Sequence, residues 1–231
     1  VAIVGGGATG VELAAELYSA AEALGFYGLE VFDARRLEVT LLEAGPRILP
    51  ALPEKLAAAA QAELEALGVR VLTGAQVVEA TADAIVTRAG ERITADLKVC
   101  AAGVKAPEFL NGIAGLESAR NGALVVRPSL QTTRDERIFA IGDCAWFVPE
   151  GATRPIPPRA QAAHQMAQTA FHNLCALMEG RPTRPFVYRD KGSLVSLARF
   201  NTVGSLMGNL VGGRMAIEGR LARLVYTSLY R

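Results

Sequence analysis

Cysteine is scarce and scattered in this sequence: three residues, at positions 100, 144 and 175. No CxxC or CxxxxC spacing occurs, which excludes a disulfide framework or a zinc knuckle formed within the chain. The thiols are therefore expected to serve as small apolar side chains in a reducing compartment, and no metal site is expected. No apolar run reaches the roughly 20 residues that a transmembrane helix needs, and no signal peptide is visible. An initiating methionine is also missing. The chain opens directly on a strand, "VAIVGGG", so position 1 is expected not to be the natural start. Net charge is only +1, which gives no overall case for nucleic acid as a partner. There is no internal repeat.

Apolar residues are abundant. They make up 51% of the chain and the mean hydropathy is +0.25, so a sizeable core is easily built. With 231 residues the chain suits one large domain, or one domain and part of another. Charge is unevenly spread. Residues 181–231 hold nine Lys/Arg and two acids, and the rest of the chain is net acidic. A basic tail broken by apolar runs fits a solvated face or an anionic lipid surface equally well.

The order of elements specifies an α/β fold. Residues 1–4 read as a buried strand, followed by a glycine turn and a helix over 9–24. Strands at 37–44 and 69–74 flank a helix over 52–68, with Ala and Leu on its inner face and Gly68 as its stop. This alternation predicts a parallel sheet with right-handed crossovers. Residues 76–103 alternate apolar and polar positions around "RAGE", as an antiparallel meander does, before "VCAAG" returns as a buried strand. Short strands then lead to "RIFAIGDCAW" (137–146), read as an apolar strand running into Gly142 and Asp143. After a Gly/Pro-rich loop, "RAQAAHQMAQTAFHNLCALMEG" (159–180) forms a helix closed by Gly180. Strands and tight turns are expected beyond it.

Two stretches carry chemistry. In "VAIVGGGATGVELA", Gly5, Gly7 and Gly10 form G-x-G-x-x-G between a strand and a helix, the setting in which this motif binds a dinucleotide. Gly5 permits the tight turn, Gly7 leaves room for pyrophosphate and Gly10 lets helix and strand pack closely. The phosphates would meet the free N–H groups of the helix N-terminus. Glu43, ending the second strand, can accept hydrogen bonds from a ribose diol and would repel a 2′-phosphate. That favours NADH over NADPH, although Arg47 nearby could accommodate such a phosphate. Glu12 is placed in the first helical turn, where it either complements the helix dipole or points into the nicotinamide pocket. The second stretch is the Gly142–Asp143 pair, in which Asp143 either caps a helix or holds a second ligand.

Taken in order and spacing, "VAIVGGGATGVELAAEL", "VTLLEAGPRILP", "VCAAGVKAPEFL", "IFAIGDCA" and "RAQAAHQMA" resemble the flavoproteins with two dinucleotide-binding domains. Among these the chain resembles the type II NADH:quinone oxidoreductases, and "YRDKGSLVSLAR" matches a C-terminal segment of that group. The resemblance implies a Rossmann-type NADH-binding domain over residues 1–106, with parallel sheet and antiparallel meander. The returning part of a second, FAD-binding Rossmann-like domain follows over 107–185. The start of a membrane-contacting region spans 186–231.

It also implies FAD and NAD as cofactors, held by Gly5, Gly7, Ala8, Thr9, Gly10, Glu12, Glu43, Gly103, Val104, Gly142, Asp143 and Ala145. Gly103 and Val104 would line the nicotinamide side. Gly142 and Asp143 would contact the ribityl–phosphate part of FAD, and a carboxylate suits a sugar-type hydroxyl. Gln161 and Gln165, four apart on one helix face, would lie near the flavin and the quinone head group. As ordinary polar helix residues they would do neither. Together with Glu12 and Lys191 they form the catalytic set the resemblance implies, with surface solvation the plain alternative for Lys191.

The implied reaction is a hydride from NADH to the flavin and two electrons on to a membrane quinone, without proton pumping. The implied place is the cytoplasmic face of the cell membrane as a peripheral protein, with a homodimer as one allowed assembly. Because the FAD phosphate loop is absent, this stretch alone is expected to hold FAD poorly and not to turn over. Two alternatives stay open. One is another FAD/NAD(P)H reductase, of the ferredoxin or disulfide type. A disulfide reductase would want a His–Pro motif, and neither His164 nor His172 provides one. The other is a non-catalytic NADH-binding module.

Overall fold

The computed structural model describes residues 1–29, 34–197, 201–208 and 213–218. The chain divides into two compact units. The first comprises Val1–Gly103 with the described residues from Gly192 onward, and the second comprises Val104–Lys191.

The first unit is built on a four-stranded parallel sheet. Strands β1 (Ala2–Val4), β2 (Thr40–Leu42), β3 (Arg70–Leu72) and β7 (Lys98–Cys100) lie in the order β3-β2-β1-β7. Ala2 sits opposite both Thr40 and Lys98 in register. Helix α1 (Ala8–Phe26) and helix α2 (Glu54–Ala66) complete the crossovers. Successive strand residues point to opposite faces, so one strand serves two cores. Ile3 and Leu41 pack with Val11, Ala14 and Ala15 of α1 and with Leu56, Ala60 and Leu64 of α2. Ala2 and Leu42 face Ile85 and Ile93 of the meander, whose strands are β4 (Val77–Ala80), β5 (Ala84–Thr87) and β6 (Arg92–Thr94). The meander is antiparallel, with a register shift between Val77 and Glu79.

Helix α2 stops as its glycine requires. Gly68 has φ +95°, and the Val69 N–H donates to the Leu64 carbonyl at 3.0 Å, the return bond of a Schellman-type end. Tyr18 ties α1 to the sheet loops, its hydroxyl lying 3.1 Å from the Gly68 carbonyl and 3.2 Å from that of Leu37. Burial raises its pKa. A second antiparallel sheet, β10 (Gly192–Leu197), β11 (Asn201–Gly208) and β12 (Gly213–Glu218), belongs to this unit, and Val195 joins its core. Residues 198–200, 209–212 and 219–231, part of the basic stretch 181–231 read as a solvated face or a lipid surface, lie outside the described residues.

In the second unit, α3 (Ala160–Met178) lays Ala162, Met166, Ala170 and Ala176 inward. Met166 and Ala170 join a core that includes Leu124, Leu130, Phe147 and Phe186. The rings of Phe147 and Phe186 stand 5.8 Å apart. Gly180 ends the helix at φ +65°, with the Arg181 N–H donating to the Ala176 carbonyl at 2.7 Å.

Three expectations need correction. The strand expected to enter Gly142 is no regular strand. Phe139 forms only an isolated bridge with Gln131, and the paired residues, Ala145–Trp146 (β9), come after the glycine and run parallel to β8 (Leu124–Val125). The opposing segment explains it: Leu130 takes φ +69°, and the run finds only the Thr132 N–H at the Ile138 carbonyl and the Leu130 carbonyl at the Ala140 N–H. The strand from "VCAAG" is an edge of the sheet and not a buried strand, ending at the exposed Cys100. That also corrects the cysteine reading, since Cys144 and Cys175 are half-buried but Cys100 is at the surface.

Candidate functional site

The glycine loop joins β1 to α1, and its residues divide by what surrounds them. A methyl group on Gly5 (φ +113°) would come within 2.7 Å of the Ala101 backbone at the end of β7. One on Gly10 would lie 2.0 Å from the Gly5 carbonyl oxygen. Both glycines are thus fixed by close approach of main chain. Gly7 is different, because nothing lies within 4 Å of the position its Cβ would take. Gly7 is also the N-cap of α1, which has no side-chain cap, while Ala8 and Thr9 are exposed. An uncapped helix start beside open space offers N–H groups to an anion.

Gly6, which spacing did not single out, anchors the loop. Its N–H donates to Oε2 of Glu43 at 2.7 Å, and its carbonyl accepts from the Leu49 N–H at 2.7 Å. A Cβ there would sit 2.8 Å from that of Glu43. The second carboxylate oxygen, Oε1, accepts from the Gly45 N–H at 2.7 Å. Glu43 therefore clasps the two loops at the ends of β1 and β2, and each oxygen keeps a further lone pair for a ribose hydroxyl. Arg47 is committed elsewhere. Its guanidinium donates to the carbonyls of Leu49, Leu52 and Pro50 at 3.0–3.1 Å, fixing a turn in which Leu49 adopts φ +48°. Glu12 is not in the first helical turn, which holds no acid, because α1 already begins at Ala8. The helix-dipole account of Glu12 thus loses its basis. Gly103, exposed and at φ +75°, ends this unit.

The second unit has a cleft of its own. Val104, Gly142, Asp143, Ala145, Arg159 and Met166 are among the residues lining it. Gly142 and Asp143 lie in a 3₁₀ turn, Gly142–Cys144, with Gly142 at φ +62° and its N–H donating to the Met166 sulfur at 3.3 Å. None of the three α-helices among the described residues has a side-chain cap, so Asp143 caps none of them; its carboxylate is exposed beside the cleft.

The profile of the pyridine nucleotide-disulphide oxidoreductases matches residues 1–167. The chain belongs to this family. It is 49% identical over 231 residues to a type II NADH:quinone oxidoreductase of Haemophilus influenzae, covering all of this chain and 52% of that protein. A Staphylococcus saprophyticus protein of the same description is 33% identical over 219 residues, which are 93% of this chain and 53% of that one. The chain thus spans about half the length of the curated relatives it matches. Among solved structures, that of NDH2 from Plasmodium falciparum in complex with NADH superposes with a TM-score of 0.80 at 16% identity. It aligns with 99% of this chain and 61% of its own. That likeness is one of fold.

The helix bearing Gln161 and Gln165 is engaged with main chain. Gln165 donates to the Arg189 carbonyl at 2.9 Å and accepts from the Arg189 N–H at 3.0 Å. Gln161 accepts from the Lys191 N–H at 2.9 Å. These three predicted residues are therefore brought together, with the Lys191 side of the segment exposed. Asn173, fully buried on the same face, was missed. Its signal was a polar residue on an apolar face, in step with Gln161, Gln165 and Thr169 at intervals of four. Asp190 pairs with Arg159 at 3.5 Å, and the burial of Tyr188 raises its phenol pKa, with the Asp190 charge adding to it.

Proposed function

We infer that the chain is the nucleotide-binding and flavin-facing half of a membrane-bound NADH:quinone oxidoreductase that pumps no protons. The observation that carries this reading is the glycine loop: Gly5, Gly6 and Gly10 are fixed by packed neighbours, and only Gly7 opens onto space at a bare helix start. That cradle fits a pyrophosphate, and the family membership supplies the nicotinamide dinucleotide. The second cleft, with a glycine turn and an exposed Asp143 at its edge, fits the sugar-type chain of FAD. Gly142, Asp143 and Ala145 would hold the flavin, which would supply two-electron chemistry between a reduced nicotinamide and a quinone.

This chain's own residues bind and orient. Ala8, Thr9 and Gly10 present N–H groups to phosphate, Glu43 receives the ribose diol, and Glu12 and Gly103 take the nicotinamide side. Arg47 has three of its donors occupied, which leaves Glu43 to disfavour a 2′-phosphate, so NADH is the preferred donor. Gly142, Asp143 and Ala145 take the flavin side. The quinone approaches the N-terminal end of α3, near Gln161, Gln165 and Lys191. No described helix is long and apolar enough to cross a membrane. The basic, apolar-interrupted stretch beyond residue 210 is the part assigned to anionic lipid. The residue boundaries 1–106, 107–185 and 186–231 remain the proposed division into nucleotide, flavin and membrane parts.

The test uses the full-length protein. NADH should bleach the flavin absorbance and a quinone should restore it; bleaching without restoration would refute the quinone, and NADH binding by a flavin-free protein would favour a non-catalytic module. Full-length protein should also sediment with anionic vesicles, and lose this when residues beyond 210 are removed.

A further inference from the structure

Three amides on one face of α3 grip the main chain of a single extended segment, residues 184–191. Gln165 meets both the N–H and the carbonyl of Arg189, as a neighbouring strand would. Asn173 does the same to Arg184: its Oδ1 accepts from the N–H at 2.9 Å and its Nδ2 donates to the carbonyl at 2.9 Å, with a second bond to the Ser129 carbonyl at 3.0 Å. Gln161 takes the Lys191 N–H. As helix positions fall from 173 to 161, segment positions rise from 184 to 191, so the two run antiparallel. The helix covers about 18 Å over that stretch. The segment, fully extended, reaches about 23 Å, so it crosses with little slack.

At the end of this segment Asp190 lies 3.5 Å from Arg159 and 3.5 Å from the Gln161 amide nitrogen. Arg159 lines the cleft that contains Gly142 and Asp143. We propose that Gln161, Gln165 and Asn173 are positioning residues that dock the 184–191 segment by its main chain, and that Gln161 thereby places Asp190 against Arg159 on the cleft wall. The glutamines then act on the flavin-side cleft through the backbone they hold. The docking stands on hydrogen bonds alone; the link to flavin rests on the functional reading above.

The experiment has two arms on the full-length, flavin-loaded enzyme. In amide hydrogen exchange, Gln165→Leu should speed exchange at the Arg189 N–H about tenfold and leave Arg184, held by Asn173, unchanged. Gln165→Glu keeps an acceptor for that N–H but loses the donor to the Arg189 carbonyl, and should fall between wild type and Gln165→Leu. It also serves if the leucine variant fails to fold. Unchanged exchange at Arg189 in both variants overturns the docking. In the second arm, Gln161→Ala and Asp190→Asn should each raise the FAD dissociation constant about threefold, and the double variant should do no more than either. Additive effects overturn the route through Arg159. An enzyme that binds no flavin defeats the functional reading while the exchange arm still decides the docking.

Discussion

Helices α1 and α3 each span 19 residues and each begin without a side-chain cap, yet they are held in opposite ways. Helix α1 is seated by the absence of side chains: Gly10 lets its first turn touch the Gly5 carbonyl, and small residues such as Ala14 and Ala15 follow. Helix α3 is seated by polar side chains that reach out, with Gln161, Gln165 and Asn173 bonded to a neighbouring backbone. Close packing tolerates almost no added volume, whereas an amide row tolerates change of volume but not loss of a donor or acceptor. One helix start is thereby kept bare for a ligand, and the other helix carries a segment to the edge of a cleft.

The contrast can be broken by substitutions. The largest effect is expected at Gly10. Gly10→Ala drives a methyl into the Gly5 carbonyl and should destabilise by about 3 kcal/mol or more, measured by denaturant unfolding, with NADH binding lost. Normal stability would show that α1 is not seated by this approach. Leu64→Ala, in the fully buried core under α2, should cost about 2–5 kcal/mol. Asn173→Leu leaves the Arg184 and Ser129 groups without partners and should cost about 2–3 kcal/mol. A smaller loss would mean that the segment is held by Phe186 packing instead.

Gly7→Ala sharpens the comparison from the other side, since its Cβ meets open space. Stability should change by less than about 1 kcal/mol, while NADH affinity in the full-length enzyme falls at least tenfold. The smallest effect is one of pH. Hydrogen bonds from Arg92 and Thr81 hold Asp83 below the ordinary carboxylate range. A depressed folded value means a contribution present above the unfolded pKa and lost as pH falls through the folded one. Asp83→Asn should therefore flatten the acid limb of a stability–pH curve by slightly lowering stability at neutral pH, with no change below the folded pKa.

Much of the nucleotide half was legible because its signals are local. Gly5, Gly7 and Gly10 have fixed spacing, and the strand and helix periods around them alternate cleanly. Gly6 was not legible, because its role depends on Glu43 and Leu49, which reach it only after the chain folds back. The same holds for Arg47, whose carbonyl partners lie in a turn that no propensity predicts. The apolar run before Gly142 looked like a strand since hydrophobicity reports burial but not pairing, and Phe139 finds a single bridge. The glutamines stood out through the family resemblance, and their interval of four put both on one helix face. Their partners were not, for a backbone N–H or carbonyl belongs to every residue and leaves no trace in composition.

The amide row also sets how this part of the protein can vary in evolution. Because it recognises peptide groups and no side chains, Arg184, Arg189 and Lys191 are free to change identity, whereas Phe186, buried against Phe147, and Asp190, paired with Arg159, are not. Proline is excluded at Arg184, Phe186, Arg189 and Lys191, where an N–H must be donated. Insertions and deletions are another matter. One residue added between Arg184 and Arg189 would put the wrong peptide opposite Gln165 and shift Asp190 away from Arg159. Lineages should therefore preserve the length of this segment far more strictly than its letters.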